Sequence, residues 1–132
     1  MNAKNKLSVF NDVRGGNLIP VEFFSLPFAP KRMFSVTDVP KGAIRGHHAH
    51  YETEQILYCI AGEILVGLDD GYSITEVVIK AGESILIPKL VWDYQQFLTG
   101  HEFMIVLAST NYNLSDYIHD RDEFYQIVRN VK

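Results

Sequence analysis

The sequence predicts an all-β double-sheet barrel of the jelly-roll type with a short C-terminal helix. Short apolar runs recur between turn signals every eight to twelve residues, the rhythm of β-sandwiches and barrels. The central runs are apolar on both faces, with Ile56, Tyr58 and Ile60 opposing Gln55, Leu57 and Cys59, as strands covered on both sides require. The tail differs: Phe124, Ile127 and Val128 fall at helical spacing within Asp120–Val131.

The first predicted strand is Leu18–Phe24, bracketed by Gly15-Gly16 and Pro27, with Pro20 marking it as an edge or a strand start. Lys31–Val36 follows, then the turn Asp38-Val39-Pro40-Lys41-Gly42 and a histidine-bearing strand, Ala43–His50. Glu54–Ala61 and Glu63–Leu68 are the central pair. Asp69-Asp70-Gly71 is a hairpin turn, because Asp and Gly accept positive φ. Ser73–Ile79 returns, and Lys80-Ala81-Gly82-Glu83 turns into Ser84–Ile87. Val91–Phe97 and Phe103–Ala108 complete about nine strands. Ser115 is placed to cap a short turn before the helix.

At 132 residues the expectation is one domain, 1–132, large enough to bury a core and a small-molecule site. A net charge of −4 argues against nucleic-acid and membrane-surface partners, yet leaves room for a local basic pocket that holds a phosphorylated molecule. The single cysteine, Cys59, forms no intrachain disulfide and sits among apolar neighbours, so it is expected to be an inert packed thiol. Met1–Leu7 is short and polar, without the apolar run of a signal peptide, and no stretch has transmembrane length. A cytoplasmic protein is expected.

Three of the five histidines crowd into Arg45-Gly46-His47-His48-Ala49-His50. On a strand, His48 and His50 share a face, and inside a barrel they face the lumen. Such a pair suits metal binding or proton transfer near neutral pH. By the same alternation, Arg45 falls on the opposite face.

The spacing resembles the cupin superfamily. Its first motif is matched by Gly42, His48-Ala49-His50 and Glu54, with Gly62 one residue late. Its second is matched by Gly82 and Pro88, but Leu90 stands in place of Gly and Asp93 in place of His. Within the cupins the chain resembles the sugar 3,4-ketoisomerases acting on dTDP-4-keto-6-deoxyglucose. The resemblance runs through Asp12-Val13-Arg14-Gly15, Lys31-Arg32, Arg45-Gly46-His47-His48-Ala49-His50, Gln55, Leu68-Asp69-Asp70-Gly71, Trp92, Val106-Leu107-Ala108-Ser109, Tyr112 and Asp116-Tyr117-Ile118. The chain departs from the family at Tyr51, Phe34-Ser35, Asp93 and His119.

This resemblance implies a metal-independent isomerase without a cofactor. It moves the carbonyl from C4 to C3 through an enediol or enediolate, ahead of amination to 3-amino-3,6-dideoxy sugars for bacterial surface glycans such as O-antigen. His48 is then expected as the carbon acid–base group. His50 assists by hydrogen bonding or by the oxygen-to-oxygen proton shift, an order of roles that exchange would reverse. A diphosphate favours an arginine fork, from Arg14, Arg32 or Arg45. Gln55 and Asp93 join the substrate site, and Tyr112, Tyr117, Trp92 and Phe34 are candidates for the thymine. A homodimer is implied. The rivals are a metal cupin using His48, His50, Glu54 and Asp93, a sugar-nucleotide binding module without catalysis, and a deoxysugar 3,5-epimerase.

Overall fold

The structure is a computed structural model that describes residues 4–11 and 13–130; Asp12 of the Asp12-Val13-Arg14-Gly15 string and Val131 at the end of the predicted helix lie outside them. Two five-stranded antiparallel sheets pack face to face. The first sheet has the order β1 (Lys4–Lys6), β7 (Glu83–Ile87), β4 (Gln55–Ala61), β9 (Phe103–Ala108), β2 (Arg32–Thr37). The second has the order β10 (Tyr117–Ile118), β3 (Ile44–His50), β8 (Trp92–Phe97), β5 (Glu63–Asp69), β6 (Ile74–Lys80). The predicted double-sheet, cupin-like barrel is therefore the observed architecture, and the helix α1 (Arg121–Asn130) closes the chain.

Alternation puts Leu57 and Cys59 of β4, Ile85 and Ile87 of β7, and Met104 and Val106 of β9 on the inner face of one sheet. They meet Ile64, Val66 and Leu68 of β5, Ile79 of β6 and Phe97 of β8 in a single buried core. The complementary residues face outward into two smaller clusters. Ile56, Tyr58 and Leu107 lie under the N-terminal segment through Leu7, Val21, Leu26 and Phe28. Ala49, Trp92 and Ile118 lie under α1, packed with its Phe124. Burial of these outer faces is why the central strands lack a polar side.

Four local expectations are corrected. Leu18–Phe24 is not a strand: Leu18 makes an isolated bridge to Phe10, and Phe23–Ser25 is a turn of 3-10 helix. Pro20 removes a ladder donor just after that bridge. β1 and β10 were not foreseen; strands of three and two residues carry no readable period. The turn Leu114–Asp116 is capped by Asn113 rather than Ser115, which instead donates both its backbone N–H and its hydroxyl to Asn113 Oδ1. The fourth, in β3, shapes the site.

Candidate active site

β3 is not an ideal strand. Its register against β8 runs Arg45 to Gln95 and Gly46 to Tyr94, then slips so that His48 meets Asp93. His47 is the extra residue of a β-bulge, with φ 93° at Gly46 and 59° at His47. Glycine is required at position 46, because a Cβ there would sit 3.1 Å from both Tyr94 Cα and Gln95 Oε1. The bulge advances the alternation by one residue. Arg45 and His48, three apart in sequence, therefore face the same side, opposite Gln95 and Asp93, themselves two apart on β8. The expectation that Arg45 points away is overturned. His47 turns outward and stacks on Tyr94 at 5.1 Å.

Between the sheets, at the end of the core, lies a cavity of about 190 Å³. Its polar wall is Arg45, His48, Asp93 and Gln95 from β3 and β8, with Gln55 of β4 facing them. Its apolar wall is Phe34 and Val36 of β2, Leu57 of β4, and Met104 and Val106 of β9, and Tyr117 of β10 completes the lining.

His50 lies beside this cavity rather than in its lining. It is 3% exposed, its ring 5.0 Å from that of His48 and 4.5 Å from that of Tyr117. Its Nε2 is buried without a hydrogen-bond partner. Tyr117 in turn stacks flat on His119 at 5.4 Å. Asp116, next in the chain, accepts from the Glu52 and Thr53 backbone N–H groups and from the Thr53 hydroxyl, fixing β10 against the end of β3. Burial pushes His48 down to about 4, with His119 and His47 adding repulsion against a Gly46 backbone hydrogen bond that works the other way. Burial also lowers His50 to about 4, reinforced by His48 and opposed by Asp116. Both imidazoles are thus neutral near pH 7, the form that accepts a proton.

Asp93 is 1% exposed. Its Oδ1 accepts from Gln95 Nε2 at 2.5 Å, while Oδ2 is buried without a partner. Burial raises the carboxyl to about 7, the Gln95 hydrogen bond opposing. Arg32 reaches the neighbourhood of His50 from β2, its guanidinium 5.3 Å from the Phe34 ring centroid and 5.5 Å from that of Tyr112. Tyr112 is exposed, with its ring 5.9 Å from that of Tyr117.

The structure does not bring every expected residue to the cavity. Trp92 faces the opposite side of β8, packed on Phe124 under α1 and 3% exposed. Alternation forces this once Asp93 points inward. Arg14 stands on an exposed turn of the N-terminal segment and does not line the cavity. Glu54 is half-buried just before β4, its backbone paired with Ser109, and it too lies outside the lining. The four residues of the metal rival do not converge: among the described residues no group of three or more His, Cys, Asp or Glu is arranged to hold a metal ion. Gln95 is a polar lining residue that no sequence motif singled out; its place two residues after Asp93 is the available signal. Cys59 is buried, as expected, and its thiol is pushed up to about 12, chiefly by burial.

Fold and site together define a small cupin-type barrel whose lumen holds Arg45, His48 and Asp93. The family model "FdtA: WxcM-like, C-terminal" matches residues 2–129, and the chain belongs to that family. It is 32% identical over 121 residues to the TDP-4-oxo-6-deoxy-alpha-D-glucose-3,4-oxoisomerase of Aneurinibacillus thermoaerophilus, covering 91% of this chain and 87% of that one. Its structure resembles a 3,4-ketoisomerase from Helicobacter canadensis, with TM-score 0.90, 31% identity and 98% of each chain covered. It also resembles a histidine-to-asparagine mutant of the 3,4-ketoisomerase QdtA from Thermoanaerobacterium thermosaccharolyticum, in complex with TDP-4-keto-6-deoxyglucose. There the TM-score is 0.89 and the identity 27%, with 99% of this chain and 97% of that chain covered.

Proposed function

We propose that residues 1–132 act as one domain that isomerises dTDP-4-keto-6-deoxyglucose to a dTDP-3-keto-6-deoxyhexose, supplying a later amination at C3. The observation that carries this is a half-buried, neutral His48 facing a cavity that also holds Arg45, Gln55 and Asp93. Family membership and the named activities of the relatives support it.

The cavity is smaller than the roughly 300–1,000 Å³ of typical ligand pockets, a space for one sugar ring with the nucleotide outside. His48 takes the proton from C3 as a general base, and the electron pair forms the C3=C4 bond of an enediol. The resulting imidazolium then returns a proton to C4. A bound diphosphate raises the basicity of both imidazoles by favouring their charged form. His50, behind His48, takes the hydrogen-bonding role. Arg45 at the cavity mouth and Arg32 beside Tyr112 are the forks for the diphosphate. Tyr112 and Tyr117 offer rings for the thymine.

The chain acts as a homodimer in this reading. The exposed Phe10, Phe23, Phe24 and Met33 border the outer face of the first sheet, and a second copy would cover them. Sedimentation equilibrium at twice the monomer mass supports this, and a monomer at micromolar concentration refutes it. The activity is tested by incubating purified protein with dTDP-4-keto-6-deoxyglucose and reading the product by NMR. A 3-keto hexose is expected, and its C4 configuration is read from the same spectrum. Unchanged substrate rejects the assignment and leaves a binding module.

A further inference from the structure

The isomerisation moves two hydrogens. One passes between C3 and C4, and His48 serves it. The other must leave the C3 oxygen while the C4 oxygen gains one. The expectation that His50 carries this second transfer is weakened by its place beside the cavity rather than in its lining. Phe34, across the cavity, brings no hydroxyl.

Asp93 has the position and the chemistry. It stands opposite His48 in the β3–β8 register and lines the same cavity. It is 1% exposed, and Oδ2 has no partner. The groups around it are His48 and Arg45 from β3, the apolar Leu68 from β5, Gln95 on its own strand, and Gln55 and Tyr117 across the cavity. Burial favours the protonated carboxyl, against the Gln95 N–H donated to Oδ1, which favours the ionised form.

We propose, building on the ketoisomerase reading, that Asp93 is a second catalytic residue that carries the oxygen-to-oxygen proton. As His48 removes the C3 proton, the protonated carboxyl gives its own proton to the C4 oxygen, which becomes a hydroxyl. The resulting carboxylate then takes the proton of the C3 hydroxyl as C3=O forms and His48 protonates C4. Both residues end in their starting states, and no other reactant is needed. Burial, which raises the carboxyl to about 7, provides the protonated form near neutrality.

The test compares wild type with Asp93→Asn, each first shown to bind TDP as evidence of a folded site. The turnover of Asp93→Asn is expected to fall about 10²–10⁴-fold, the usual contribution of a positioned acid–base group. Wild-type kcat is expected to fall as pH rises past about 7, and the variant's residual activity to lack that limb. A variant within about threefold of wild type, or one that keeps the limb, overturns the proposal. If Asp93→Asn does not bind TDP, Gln95→Met serves instead. It removes the hydrogen bond that favours the ionised carboxyl, so the limb moves to higher pH, and an unmoved limb overturns the proposal. Wild-type protein that performs no isomerisation defeats the ketoisomerase reading itself, so the two failures are distinct.

Discussion

Replacing Asp93 with Asn changes how stability depends on pH, because its carboxyl opposes two histidines in the same pH range. Unfolded, Asp93 releases its proton near 3.8; folded, burial holds it to about 7. Between these values the native state carries the extra proton, so this group's stabilisation is complete below 3.8 and lost as pH rises through about 7. His48 and His50 act in the opposite sense. Their folded values of about 4 lie below the ordinary 6.5, so the unfolded chain holds the extra protons, and their contribution is lost as pH falls from 6.5 to about 4. One proton is worth about 1.4 kcal/mol per pH unit. Within the shared window the two histidines outweigh the carboxyl by one proton, so wild-type stability rises with pH by about one proton's worth per unit from these groups. Asp93→Asn removes the opposing carboxyl, and its rise is about twice as steep. Urea unfolding of both proteins, at fixed concentration and ionic strength between pH 4.5 and 6.5, isolates the difference. The variant gains about 3 kcal/mol on wild type across that range. Parallel curves would mean that Asp93 ionises as an exposed carboxyl does, and the account of the cavity's polar wall would fail.

Two further changes have readable outcomes. Gly67→Ala puts a Cβ about 2.0 Å from Tyr94 Cζ, displacing the ring that donates to Glu76 and stacks on His47. A loss of about 1–3 kcal/mol is expected in urea unfolding, and an unchanged midpoint would show that the ring moves freely. Arg45→Gln is expected to raise KM about tenfold with a smaller effect on kcat, since it removes a charged fork for the diphosphate; an unchanged KM would place that group elsewhere.

Most of the scaffold was legible because its strands are long enough for alternation to speak, and the two-sided apolar β4 announced that both faces of its sheet are covered. The short β1 and β10 carry no period, and the N-terminal segment packs by burial without forming a ladder. The site was legible by composition but not by phase. Arg45 was assigned to the wrong face because one extra residue at Gly46–His47 reverses the count, and a bulge leaves only a weak mark, a glycine within a strand. Trp92 is the converse case. Asp93 and Trp92 are neighbours on β8, so alternation alone shows that both cannot face one cavity. Asp93 looked like a departure from the cupin motif in sequence; its burial against an amide and opposite His48 gives it a chemistry of its own.

The proposed isomerisation depends most on His48 as the group that moves the carbon-bound proton. The direct measurement is NMR of dTDP-4-keto-6-deoxyglucose incubated in deuterated water with wild type, His48→Asn and His50→Asn. Wild type is expected to yield the 3-keto product with deuterium appearing at carbon, and His50→Asn to retain part of this activity. His48→Asn is expected to leave the substrate unexchanged and unconverted. Near wild-type conversion by His48→Asn would contradict the account.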